Sequence, residues 1–92
     1  MIYREKDRKG GFMMSQQLSL SALLPGQRGR VRALLNEGGM RRRLLDIGLI
    51  ENTPVECIGK SPAGDPAAYL IRGAVIAIRA EDGQKILIEL CT

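Results

Sequence analysis

Ala67-Ala68-Tyr69-Leu70-Ile71-Arg72, then Gly73, then Ala74-Val75-Ile76-Ala77-Ile78-Arg79 is the stretch on which the fold turns. Both halves are short and apolar, consistent with strands. The glycine between them marks a hairpin or a sharp bend. Upstream, Ser61-Pro62-Ala63-Gly64-Asp65-Pro66 is the richest turn cluster of the chain. Before it, Val55 to Lys60 reads as another strand, with Val55 and Cys57 on one face. Glu51-Asn52-Thr53-Pro54 reads as a turn in which Asn52 tolerates positive φ. Downstream, Glu81-Asp82-Gly83-Gln84 reads as a turn. Lys85 to Leu90 then alternates, with Ile86, Ile88 and Leu90 inward.

The first half of the chain adds one strand and one helix. Pro25-Gly26 is turn chemistry, with proline presetting φ and glycine allowing a positive value. Arg28 to Leu35 alternates, which predicts a half-buried strand with Val31, Ala33 and Leu35 on one face. Gly38-Gly39 breaks it. Met40, Leu44 and Ile47 then form one helical stripe, and Gly48 is suited to end that helix in a left-handed conformation. Leu49 and Ile50 are expected to pack back onto the core. Ser19 to Leu24 predicts a helical turn or an irregular lid that Ser19 or Ser21 could cap. The sum is a mainly β domain: a small closed β-barrel of about five strands with one or two short helices, turning every eight to twelve residues.

Length and composition fit that reading and exclude several chemistries. Ninety-two residues make one domain, and residues 18–92 are its expected extent. Residues 1–17 read as a disordered tail or an extension from an upstream start, because they lack periodicity and carry Gly10-Gly11. The chain has no histidine, so no histidine-based triad, dyad or metal site can form. Two cysteines, Cys57 and Cys91, cannot close a zinc site alone. The longest apolar runs are five residues, such as Ala74 to Ile78, far short of a membrane span. With no secretory signal and no disulfide pattern, the cytoplasm is the expected compartment. The net charge is +4. Half of it lies in residues 1–10, with four basic and two acidic groups, while residues 18–92 hold ten and eight.

Three segments together resemble a known family. They are Leu20…Leu23-x-Pro25-Gly26-Gln27-x-Gly29-x-Val31, then Arg41-Arg42-Arg43-Leu44-Leu45-Asp46-Ile47-Gly48-Leu49, then Gly64-Asp65-Pro66-Ala67-Ala68-Tyr69…Arg72-Gly73…Ile76-Ala77-Ile78-Arg79. In order and spacing they resemble FeoA, the ferrous iron transport protein A family, over residues 18–90. The resemblance implies an SH3-like barrel. It implies a cytoplasmic, non-enzymatic accessory of FeoB, the GTPase-linked permease for ferrous iron. It implies the free-standing form, since the chain is too short to hold a DNA-binding domain or a permease as well. Two positions depart from the family pattern: Asn52 stands where glycine is usual, and Ala74 where a larger residue is common.

Two surfaces are candidates for partner binding. Arg41, Arg42 and Arg43, with Asp46, offer a basic helix face to an acidic partner. The same residues also read as a solvated face in which Arg42 or Arg43 pairs with Asp46. Three consecutive helical residues spread over roughly 200°, so they cannot all serve one surface. Gly64, Asp65 and Pro66 offer a docking loop. Plain turn chemistry also accounts for them, with glycine for positive φ, an Asx-type bond from Asp65, and proline for entry to an edge strand. No catalytic residue, metal ligand or cofactor is expected: the carboxylates are scattered, and Cys57 faces inward. The alternative function is a small basic barrel binding RNA or DNA. Its near-neutral folded part and single aromatic, Tyr69, argue against nucleic acid as a partner. An uncovered edge strand would allow homo-oligomers.

Overall fold

The computed structural model describes residues 17–91. The expected tail, residues 1–17, therefore lies outside the described residues except for Gln17. In chain order the strands are β1 (Gln17–Ser19), β2 (Arg28–Leu34), β3 (Pro54–Lys60), β4 (Ala67–Ile71), β5 (Ala74–Ile78) and β6 (Ile86–Cys91). Helix α1 spans Gly38–Asp46, α2 spans Ala80–Gly83, and a 3-10 turn covers Leu20–Ala22. All six strands pair antiparallel in one sheet, in the order β1-β6-β2-β3-β4-β5. Six strands are present where about five were expected. The additional one, β1, has three residues, too few for a period to show.

Side chains from β2 through β6 meet in a single cluster: Val31, Val55, Cys57, Tyr69, Ile71, Ile78, Ile86 and Ile88. One sheet does this by curling around its own inner face, but it is not the closed barrel expected, because among the described residues no pairing joins its end strands β1 and β5. The 3-10 turn ties the β1 end to β4, which lies between β3 and β5 and so is not the edge strand expected after Pro66. It follows β1, buries Leu20 completely, and its Leu20 carbonyl accepts a 3.3 Å hydrogen bond from the Tyr69 hydroxyl of β4. Tyr69 is the largest of the fully buried side chains, so its ring fills the centre while its hydroxyl stays satisfied. Helix α1 closes one mouth of the curl with Leu44, and Leu49 follows into the core.

The predicted hairpin forms. Arg72 and Gly73 both have positive φ, 51° and 82°, the signature of a two-residue type I′ turn whose twist matches the strands it joins. Asn52 also has positive φ, 74°, so the residue standing in place of glycine keeps the left-handed turn. Helix α1 ends as expected. Gly48 has φ 97°, its N–H bonds the Leu45 carbonyl at 3.0 Å, and the Leu49 N–H bonds the Leu44 carbonyl at 3.0 Å. That is the Schellman arrangement, and it turns Leu49 inward.

Four local expectations need correction. Leu35 is exposed and Leu34 takes its place against the core, because the β2–β6 register shifts between Val31 and Ala33. One extra residue exchanges the two faces of everything after it. Ile50 is exposed rather than packed back, because the chain turns away directly after Leu49. Glu81 to Gln84 is not a simple turn. The Gly83 and Gln84 amides bond the Arg79 and Ala80 carbonyls at 2.9 Å, making the single helical turn of α2. Finally, Ser19 makes no capping bond to the 3-10 turn, since its hydroxyl lies 3.0 Å from that of Ser21.

Candidate functional site

The arginine run on α1 divides as helical geometry requires. Arg41, Arg42, Arg43 and Asp46 are all exposed. Neither Arg42 nor Arg43 pairs with Asp46. Among the described residues the ion pair is Arg32–Glu89, at 3.7 Å. Arg41 bends back along its own scaffold and donates from Nη1 to the Leu34 carbonyl at 2.6 Å. Arg41, Arg42 and Asp46 line one shallow depression on the outer side of α1. Arg43 points to the other side, into a groove of about 350 Å³ between α1 and β5. The run thus splits between two sides of α1, Arg41 and Arg42 on one and Arg43 on the other, rather than forming one basic patch.

The loop before β4 is closed by its own backbone. The Gly64 N–H bonds the Ser61 carbonyl at 2.7 Å, with Gly64 at φ 87°, and the Ser61 N–H bonds the Pro66 carbonyl at 3.1 Å. Asp65 does not make the local Asx bond expected of it. Its Oδ1 accepts the Ala80 N–H at 2.9 Å, fifteen residues away. Ala80 is the first residue of α2, whose opening amides have no partner inside the helix. The residue in the usual capping position is Arg79, which cannot serve, so Asp65 caps α2 from another loop. The two candidate surfaces do not meet. They flank the same junction from opposite sides: Arg43 shares its groove with Arg79, and Asp65 holds the next residue, Ala80.

Two features escaped the sequence reading. Arg72, in the β4–β5 turn, donates from Nε to the Gly48 carbonyl at 3.0 Å and covers Gly48 so closely that a Cβ there would overlap its side chain. A guanidinium at the carbonyl end of α1 also suits the negative end of the helix dipole. Strand β5 is the other. It forms one edge of the sheet, and Ala74, Val75 and Ala77 are exposed. A five-residue strand with no charge in it was the visible signal.

The remaining ionisable groups are dispersed. Among the described residues no three Cys, Asp or Glu side chains converge as metal ligands would. Cys57 is buried and Cys91 exposed. Burial pushes the Tyr69 hydroxyl up to about 12, with smaller contributions from negative charge at Cys57 and Asp65. No described helix is long and apolar enough to cross a membrane.

With the geometry in hand, comparison with known proteins is direct. Residues 18–90 match the FeoA domain. A fusion protein of Fe(2+) transport protein A and the Fe(2+) transporter FeoB from Porphyromonas gingivalis is 29% identical over 73 residues. The match takes in 79% of this chain and spans 9% of that much longer protein. The solution structure of FeoA from Chlorobium tepidum superposes with a TM-score of 0.78 at 28% identity, covering 82% of this chain and 71% of that one. FeoA of Stenotrophomonas maltophilia, described as a prokaryotic SH3 domain protein complexed with zinc, has a TM-score of 0.69 at 20% identity. It covers 77% and 88% of the two chains and shows the shared fold. Matched along nearly all its described length in sequence and in structure, the chain belongs to the FeoA family and adopts its SH3-like fold.

Proposed function

We propose that this chain is a non-enzymatic accessory of ferrous iron uptake that binds a FeoB-type GTPase permease at its cytoplasmic face and modulates transport. The observation that carries the reading is the Porphyromonas gingivalis relative, in which a matching segment and an Fe(2+) transporter are one polypeptide. Fusion gives two partners an effective concentration in the millimolar range for short flexible linkers. Separate chains must supply the equivalent affinity from surface chemistry. The chain's own residues favour binding over catalysis. It has no histidine to act as a base, and one of its two thiols is buried in the core. The surfaces offered are α1, with Arg41, Arg42, Arg43 and Asp46, and the loop Gly64-Asp65-Pro66.

The test is co-purification of the full chain with the permease from the same cell, at about 50 mM salt and again at about 300 mM. Loss of retention in the Arg42→Glu chain maps the contact to the outer side of α1, and unchanged retention removes that surface from the interface. No retention at either salt concentration overturns the reading. Arg42→Glu is the informative surface variant, because its side chain makes no hydrogen bond or ion pair among the described residues. Arg41 and Asp65 already hold the chain to itself and would report on folding as well.

A further inference from the structure

Strand β5 is an edge without the devices that usually blunt one. Ala74–Ile78 contains no lysine, no proline and no charge, and Val75 is 63% exposed. The turn fixes which of its backbone groups are free. Ile71 and Ala74 flank a two-residue turn, so they exchange both hydrogen bonds, and every second pair does the same. Ala74, Ile76 and Ile78 therefore direct N–H and C=O toward β4. Val75 and Ala77 direct theirs away from the sheet.

The groove shared with α1 lies on that same side. It is lined by Met40, Leu44 and Ile47 of α1 and by Ile76 and Ala77 of β5, and no β4 residue reaches it. Its polar lining is Arg43 and Arg79 against one acid, Asp82. Among the described residues none of these three makes an ion pair. Among the described residues the groove thus offers a backbone edge with no partner strand, an apolar floor and a net positive rim.

We propose that the β5 edge and this groove dock an extended acidic segment of a partner protein. The segment adds as a further strand beside β5 and places alternate apolar side chains against Met40, Leu44 and Ile47. Its flanking carboxylates meet Arg43 and Arg79. This is β-augmentation: main-chain bonds give affinity and the side-chain pockets give specificity. Charge selects the occupant. The chain's own residues 1–10 carry four basic groups against two acidic ones and would be repelled by the rim. A second copy of β5 brings no carboxylate to meet it. The proposal does not depend on which protein supplies the segment.

The test uses the full chain, labelled with nitrogen-15, and a synthetic probe, acetyl-Glu-Asp-Val-Thr-Val-Thr-Val-Asp-Glu-amide. Binding should slow amide exchange at Val75 and Ala77, whose amides face outward, with little change at Ile76, and should shift Met40, Leu44 and Ile47. The doubly substituted Arg43→Glu, Arg79→Glu chain should bind about tenfold more weakly, the worth of two exposed ion pairs. Ala77→Pro removes one outward N–H and leaves the β4 ladder intact, so it should abolish binding. Should that variant fold poorly, the same peptide N-methylated along the edge facing β5 makes the same cut from the partner's side and should not bind. Three results overturn the proposal. One is no change at Val75 and Ala77 with millimolar peptide. Another is equal binding by a lysine-flanked peptide or by the N-methylated one. The third is contact of those two amides with residues 1–16 of the chain or with a second copy.

Discussion

Replacing Gly48 by alanine puts a methyl group where Arg72 already lies. Gly48 sits at φ 97°, where an L-residue is strained by about 1–2 kcal/mol. The new Cβ would overlap Arg72 Cδ and Nε. The arginine is flexible and exposed, so it swings away rather than splitting the fold, and the loss is its 3.0 Å bond to the Gly48 carbonyl. Solvent screens this exposed guanidinium, so the bond contributes about 0.5–1 kcal/mol, below the range for buried charged donors. The Thr53 hydroxyl still donates to that carbonyl at 2.9 Å, so the acceptor is not orphaned. The expected total is about 1.5–3 kcal/mol, or a fall in Tm of about 6–24 °C for a domain of this size. Urea unfolding followed by far-UV circular dichroism measures it, with the m-value unchanged. A double-mutant cycle separates the two contributions. Arg72→Ala alone should cost about 0.5–1 kcal/mol, and almost nothing in the Gly48→Ala background, because the bond has already gone. A cost for Gly48→Ala below about 0.5 kcal/mol, or strictly additive costs, would refute the reasoning.

Three further outcomes follow from the same geometry. Asp65→Ala should lower stability by about 1 kcal/mol through loss of the α2 cap, and Asp65→Asn by less, since its amide oxygen can still accept; thermal unfolding of both variants checks it. The Tyr69 hydroxyl titrates near 10 in the unfolded chain and at about 12 in the fold, so stability is fully present below pH 10 and falls as pH rises toward 12. Tyr69→Phe should lose the bond to the Leu20 carbonyl, about 1 kcal/mol, yet show a flatter decline in urea midpoint across that window. Of the two thiols, only Cys91 should react promptly with a thiol reagent such as dithionitrobenzoate. Cys57 should wait for unfolding, so two equally fast phases would contradict the core.

The hairpin, the helix stripe and the left-handed exit at Gly48 were legible because each depends on residues close together in the chain. The β2 bulge was not. Leu34 and Leu35 are the same residue type, so no pattern says which one faces the core; the position of the extra residue opposite β6 decides it. The three residues of β1 are shorter than the period they would have to show. Exposure of the candidate surface was legible from charge. Its bonds were not, because Asp65 to Ala80 and Arg72 to Gly48 span fifteen and twenty-four residues. No local rule predicts an arginine at φ 51° in a hairpin turn.

Those two long bonds change what the family motifs mean. The arginine-rich block is most visible through its charges, yet its glycine, Gly48, is the acceptor for Arg72 at the start of the β5 hairpin. The loop block is most visible as a turn, yet its Asp65 fixes Ala80 just beyond the end of β5. Strand β5 is thus held at one end to the exit of α1 and at the other to the loop before β4. An edge strand fixed at both ends has little ordering entropy left to lose when a partner strand adds to it. Arg43 and Arg79, which make no ion pair among the described residues, are left to face the partner. On the proposed docking the family motifs do two jobs: Gly48 and Asp65 hold the edge in place, and Arg43, Ile76, Ala77 and Arg79 of the same motifs meet the acidic segment.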